Sequence, residues 1–331
     1  MRYCSSAMQR GIDLERAAAI LAAGGLVAFP TETVYGLGAD ATRDDAVAKI
    51  FAAKGRPTSH PLIVHLAPGA PLEPWAREIP ELARRLAAVA WPGPLTMILR
   101  RGPRVAAATT GGTDTVGIRV PSHPLALALL EEFGGGIAAP SANRFGGVSP
   151  TTADHVALDL GDRIDYLVDG GACDIGVEST IVDLSRAHPT LLRPGGMPRE
   201  AIEAIVGPLA AADAEAPAAP GTLASHYAPR ADVYAVAPGE VPATVAAHRG
   251  KRVAVLAPRS LFLGWGDLGT ARAHPLPDDL AGMARELYAA LRALDASGVD
   301  VVIAALPPAI GLGEAVGDRL RRAGGPRDKP S

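Results

Sequence analysis

The stretch FPTETVYGLGADA, residues 29–41, decides how the chain is read. Before it, Leu26-Val27-Ala28-Phe29 is a short apolar run of the kind that forms a buried strand. It breaks into Pro30, two threonines around a glutamate, a tyrosine and two glycines. A plain turn needs Gly, Pro, Asn or Asp. It has no need of Thr31, Glu32, Thr33 and Tyr35 packed together. A strand that ends in hydroxyls and glycine points to a site with close backbone approach.

Working outward, apolar strands alternate with amphipathic helices. Asp13 is placed to cap a helix to about residue 23, with Gly24 as its stop. A helix from Asp44 or Asp45 ends near Lys54-Gly55-Arg56-Pro57, and further helices are expected over 79–89, 124–133, 151–160 and 199–205. Strands are expected over 61–66, 95–99, 116–120, 137–139, 166–168, 180–184 and 190–193. Mixed strands and helices with varied loops mean an α/β fold with a twisted open mixed sheet. Residues 208–221 are mostly Ala, Pro and Gly and read as an extended linker. Strands at 233–236, 253–256 and 299–304, with helices at 280–295 and 313–322, then form a second, smaller α/β domain of Rossmann-like type. The expected division is a first domain at 1–207, a linker or lid at 208–229, a second domain at 230–323 and a flexible tail at 324–331.

Composition excludes several classes. A net charge of −3 rules out a globally basic nucleic-acid binder, though not a local basic patch. Cys4 and Cys173 are too few for a disulfide framework or a zinc site, and a reducing cytoplasm fits. No N-terminal stretch has the layout of a signal peptide. The apolar run 17–29 is interrupted by Gly24-Gly25 and falls short of the ~20 residues a membrane span takes.

Ligands of open α/β sheets sit beyond the carboxyl ends of strands, and several strands here end in similar residues. Thr31, Thr33 and Tyr35 follow the first, and Ser141 and Asn143 follow Ile137-Ala138-Ala139. Arg119 lies within an apolar strand, Arg193 precedes Pro194-Gly195-Gly196, and Lys54 and Arg56 leave a helix just before a strand. Cations, hydroxyls and exposed N–H groups are the parts of a polyanion site. There is no Walker A sequence and no G-x-G-x-x-G between strand and helix, so a nucleotide would bind by another route. Each feature has a plainer reading too. The threonines fit a satisfied turn, Lys54 and Arg56 a helix dipole, and Ser141 and Asn143 a capping loop. His65 fits a hydrogen-bonded core histidine, and Cys173 a structural one. Arg119 is the hardest to dismiss, because an inward arginine needs an anion.

Taken together, FPTETVYGLGADA, KGRPTSHPLIVH, WPGPLTMIL, VGIRVPSHP, APSANRFGGVSPT, VESTIVDL and LLRPGG, in that order, resemble the threonylcarbamoyl-AMP synthase family with its YrdC-type domain. The resemblance covers about residues 14–206. APGTLASHYAPR and the segment after it resemble the linker and extra C-terminal domain of the family's long form. The resemblance implies an enzyme that makes threonylcarbamoyl-AMP and pyrophosphate from L-threonine, bicarbonate and ATP, with magnesium on the phosphates. The product would serve tRNA modification beside the anticodon, reaching tRNA directly or through a transferase complex, in the cytoplasm and with no membrane partner.

It also implies roles. Thr33, His65, Arg119, Ala139 and Ser179 would hold threonine. Lys54, Arg56, Ser141 and Asn143 would form the catalytic set. Arg56, His60, Thr115, Ser141, Ser149, Arg193 and Tyr227 would contact ATP, with His60 standing where many members have Asn. Metal ligands are not readable. Two other readings stand beside this one. The first is a protein of the same fold that binds double-stranded RNA or matures ribosomes. The second is a carbamoyl-transfer module like that of hydrogenase-maturation proteins, which carry zinc-finger-like segments that two cysteines cannot supply.

Overall fold

The computed structural model describes residues 8–223 and 225–326; Cys4 and residues 327–331 of the expected tail lie outside them. The chain divides into two compact units. The first holds the described residues up to Phe145, then Ser149–Asp174 and Glu178–Thr222; the second holds Gly146–Val148, Ile175–Val177 and the described residues from Leu223 onward.

Twelve strands build the sheet of the first unit. They are β1 (Gln9–Gly11), β2 (Val27–Phe29), β3 (Gly36–Asp40), β4 (Ile63–His65), β5 (Ala76–Arg77) and β6 (Leu95–Arg101). β7 (Thr115–Arg119), β8 (Ile137–Ala138), β9 (Tyr166–Val168), β10 (Thr180–Asp183), β11 (Thr190–Arg193) and β12 (Ala210–Ala211) complete the set. Their order is β1-β9-β2-β3-β8-β4-β7-β6-β10-β11-β12, with β5 beside β6. The sheet is mixed. β4 runs parallel to β7 and β6 parallel to β10, while β3 is antiparallel to both β2 and β8.

Helix boundaries follow local chemistry. The helix Leu14–Ala22 starts where the Asp13 carboxylate accepts from Arg16 N. The helix Asp44–Lys54 stops at Gly55, whose φ of 65° suits glycine. Thr152 caps Ala153–Leu160 through His155 N.

Alternation divides the two faces of the sheet. Val64, Met97, Ile118 and Val182 point into the main core under the helices. On the other face Ile63, Ile98 and Ile181 form a second, smaller cluster. Pairing brings His65 opposite Arg119, Ile63 opposite Gly117, and Ile181 opposite both Thr96 and Arg193. Gly117 keeps this second face shallow, since a Cβ there would stand 3.2 Å from Ile98 Cδ1 and 3.3 Å from Thr96 Cγ2.

Short strands β1 and β5 and the strand Arg272–Leu276 were not expected, and two further features differ from the sequence expectation. Gly-Leu-Gly-Ala-Asp lacks the β-branched residues that mark a strand, and no strand is expected there; it is a strand, β3, paired with β2 over 36–38 and with β8 over 39–40. The expected linker is not a bare spacer up to residue 222. Ala210–Ala211 pairs with β11 as an edge strand, and Ala219 packs on the cluster of Ile63, Ile98 and Ile181.

The second unit is a parallel four-stranded sheet of β13 (Asp232–Val236), β14 (Val253–Pro258), β15 (Arg272–Leu276) and β16 (Val301–Ala305), in the order β13-β16-β14-β15. Its long helix Leu280–Ala296 is capped by Asp279, which accepts from Gly282 N at 2.7 Å.

Candidate functional site

Of the candidate residues of the first unit, His65 and Arg119 stand on the face that carries Ile63, Ile98 and Ile181, and the others come from loops and from helix or strand ends. They do not sit beyond one set of carboxyl ends, as the sequence suggested. β2 and β8 each run antiparallel to β3, so their carboxyl ends share a side. β4 is antiparallel to β8, and β7 follows β4, so His65 and Arg119 end at the opposite side. A mixed sheet makes its site across a face instead of at an edge.

At one end of this face lies Arg119, buried at the end of β7. Its Nη2 donates to Thr33 Oγ1 at 2.9 Å and stands 2.7 Å from Glu32 Oε1. Thr33 is fixed in turn by Thr31, whose hydroxyl lies 2.8 Å from Thr33 Oγ1 and donates to Val34 O at 2.7 Å. The hydroxyls of the opening stretch therefore build a small rigid turn as well as facing the arginine. Glu32 Oε2 accepts from Ser122 N at 3.1 Å. His65, opposite Arg119 in the ladder, donates from Nδ1 to Ile63 O at 3.2 Å and meets Phe29 edge-on. Burial, with the Arg119 charge behind it, pushes its imidazole down to about 3, so the ring is neutral at pH 7. Ala139 completes this end through its N–H to Ile63 O.

Further along, the Ser179 hydroxyl lies 2.8 Å from Thr96 Oγ1. Arg193 Nη2 donates to Ser179 O at 2.7 Å, and its Nη1 to Pro220 O at 2.8 Å. Ser149 donates to Glu178 Oε1 at 2.6 Å.

A second cation cluster is built on the helix Asp44–Lys54 and the loop after β8. Lys54 Nζ donates to Ser141 O and Asn143 O, both at 2.5 Å. Burial first, and Arg56 second, hold its ammonium well below the usual lysine range. Arg56 Nη2 donates to Pro61 O at 3.0 Å, and the guanidinium lies 5.7 Å from the Phe145 ring centroid. His60 meets the same ring, and burial lowers its imidazole. Lys54, Arg56, Ser141, Asn143 and His60 thus form one connected group, and Thr33, Arg119, His65 and Ala139 another. Ser179 and Arg193 form a third. Thr115 stands half-buried at the start of β7, and its hydroxyl makes no hydrogen bond among the described residues.

Tyr227 falls in the second unit. It is buried there between Tyr288, stacked at 5.7 Å, and the Arg319 guanidinium at 5.0 Å from its ring centroid. Two buried acids escaped the sequence reading as site residues, Glu32 and Glu178. The only available signal was position: Glu32 stands between the two threonines and Glu178 precedes Ser179. No cluster of three or more His, Cys, Asp or Glu among the described residues is arranged to hold a metal ion. No helix among them is long and apolar enough to cross a membrane.

Comparison with known proteins shows the family. A family model described as "Telomere recombination" matches residues 19–195, and one described as "Threonylcarbamoyl-AMP synthase, C-terminal domain" matches residues 197–325. The threonylcarbamoyl-AMP synthase of Pyrococcus abyssi is 45% identical over 94% of this chain and 94% of its own length. That of Bacillus subtilis is 44% identical over 95% and 94%. The crystal structure of P. abyssi Sua5 complexed with L-threonine superposes with a TM-score of 0.87 at 43% identity, covering 94% of both chains. The fold and site are those of a two-domain α/β protein built around a buried cation face. The chain belongs to the threonylcarbamoyl-AMP synthase family.

Proposed function

We propose that the chain makes L-threonylcarbamoyl-AMP from L-threonine, bicarbonate or its carbon dioxide, and ATP, releasing pyrophosphate. The observation that carries this reading is the pairing of two buried cation groups: Arg119 with Thr33 for a carboxylate, and Lys54 with Arg56 for phosphates. The threonine amine takes up carbon dioxide as a carbamate without a protein nucleophile. The carbamate oxygen then bonds to the α-phosphorus as the bond to the β-phosphate oxygen breaks, and pyrophosphate leaves. What the protein supplies is position and charge.

Arg119 takes the threonine carboxylate, with Thr33, neutral His65, Ala139 and Ser179 shaping the rest of that subsite. Lys54, Arg56, Ser141 and Asn143 stabilise negative charge as it moves toward the pyrophosphate. His60, Thr115, Ser149, Arg193 and Tyr227, together with Arg56 and Ser141, are the residues we assign to the nucleotide. Magnesium would enter as a companion of ATP, and no group of three or more His, Cys, Asp or Glu among the described residues is arranged to hold it by itself. Its chemistry would be to neutralise phosphate charge. A cytoplasmic setting supplies the ATP, and the labile product is destined for tRNA, directly or through a transferase complex.

The decisive measurement is pyrophosphate release from ATP with threonine and bicarbonate added singly and together. Release is expected only when both are present. Equal release with either one omitted rejects the reaction.

A further inference from the structure

We infer that Glu32 and Arg119 act together as a reader of zwitterions, so that the amino-acid subsite selects its ligand by the α-ammonium as well as the carboxylate. The inference rests on the reading above that Arg119 faces the substrate carboxylate. Both side chains are deeply buried, at 6% and 5% exposure. Glu32 Oε1 lies 2.7 Å from Arg119 Nη2, yet the geometry is not that of a hydrogen bond. Glu32 Oε1 accepts none and Arg119 Nε donates none among the described residues. The other ends are pinned: Oε2 by Ser122 N and Nη2 by Thr33 Oγ1.

Buried polar groups left unmatched are costly, so their usual explanation is a missing partner. Here the two charges already face each other at 2.7 Å, and what lacks a hydrogen bond is one acceptor, Glu32 Oε1, and one donor, Arg119 Nε, in the same ion pair. A simple carboxylate or phosphate satisfies the donor alone. An α-amino acid, with an ammonium one carbon from its carboxylate, satisfies both. The pair is also neutral as a unit, so it attracts a phosphate dianion less than Lys54 and Arg56 do, which keeps the triphosphate off the amino-acid subsite. Once the amine carries a carbamate, the Glu32 carboxylate repels it.

The test compares two ligands by calorimetry on the full chain: L-threonine and (R)-3-hydroxybutyrate, which is threonine without its amine. ATP affinity serves as the control for an intact site. The wild type is expected to favour threonine about tenfold or more, and Glu32→Gln to shrink that ratio by about tenfold, with ATP affinity unchanged. Glu32→Asp, which keeps the charge, should retain most of the preference. A ratio that is the same in wild type and Glu32→Gln overturns the inference. Should Glu32→Gln fail to fold, a wild-type preference below about threefold overturns it instead. The underlying reading is judged separately by Arg119→Ala: threonine binding that survives this change removes the subsite itself, whatever Glu32 does.

Discussion

The two sheets of this chain bury different things. In the first unit β4, β6, β7 and β10 alternate, so one face holds aliphatic side chains and the other holds His65, Thr96 and Arg119 among isoleucines. In the second unit β14 and β16 are buried along nearly their whole length, and Val253, Val255, Ile303 and Ala305 pack with their neighbours into an apolar cluster. Of the buried polar and charged residues among those described, His226 and Arg319 alone fall in the second unit. A parallel sheet covered on both faces has nowhere to put a charge. A mixed sheet with one face left to a few isoleucines and Gly117 has room for several, provided each finds a partner.

That contrast can be tested by how substitutions behave. The largest effect is expected at Arg119. Removing it leaves the Glu32 carboxylate buried and unpaired, which costs about 3–5 kcal/mol. Urea unfolding of Arg119→Ala should show this loss. Replacing both partners by methionine should recover much of it, since the penalty comes from the orphaned charge. An Arg119→Ala protein as stable as wild type would mean the pair contributes nothing to the fold.

Lys54→Ala comes next. Its turnover number should fall by about two orders of magnitude, corresponding to ~2.7 kcal/mol of lost stabilisation in the transition state. Threonine affinity should change little. A normal turnover number would reduce Lys54 to a tie between its helix and the carbonyls of Ser141 and Asn143.

His65 sets a pH-dependent effect, small near neutrality and growing as pH falls. Its folded pKa of about 3 lies below the ordinary value of about 6.5. Between these values the unfolded chain holds a proton that the folded chain refuses. This group therefore contributes full stability above about pH 6.5 and loses it as pH falls, by up to about 1.4 kcal/mol per pH unit. The difference in unfolding free energy between wild type and His65→Asn, followed from pH 7 to pH 4, isolates this contribution from other titrating groups. A pH-independent difference would show that the ring accepts a proton in place.

The smallest effect belongs to the second unit. Asp279→Ala removes the cap of the helix Leu280–Ala296 and should cost about 1 kcal/mol. Thermal unfolding reads that cost, and threonine and ATP affinities should stay at wild-type values. A loss of ATP affinity would show that the helix carrying Tyr288 holds Tyr227 in place for the nucleotide.

How far the site could be read from the sequence depends on whether a signal is local. Pro61-Leu62-Ile63-Val64-His65 announces a strand by its short run of aliphatic residues, and Arg119 within an apolar strand announces the need for an anion. The partner of Arg119 is set by folding the turn at Thr31–Thr33 against the end of β7, and nothing near Glu32 in sequence reveals that. β3 was hidden by its glycines and β15 by Pro275 and its charges, although pairing with neighbours makes both regular. β12 was hidden in an Ala- and Pro-rich stretch, because an edge strand can form from poor strand formers when its partner is already in place. The expectation of a site at strand carboxyl ends failed for a topological reason: strand direction depends on which strands pair, and that is long-range information.

The contacts that define the site are also far apart along the chain. Arg119 and Thr33 are separated by 86 residues, Thr96 and Ser179 by 83, and Lys54 and Asn143 by 89. Pairings of this kind close large loops and are slow to form. During synthesis at about 5–20 residues per second, the Lys54 tether to Asn143 has to wait several seconds after the lysine has been made. Ser179 and Arg193 arrive later still. No early fragment holds a half-working version of the site, so binding of threonine reports on the folding of the whole first unit and gives a kinetic marker for its final step.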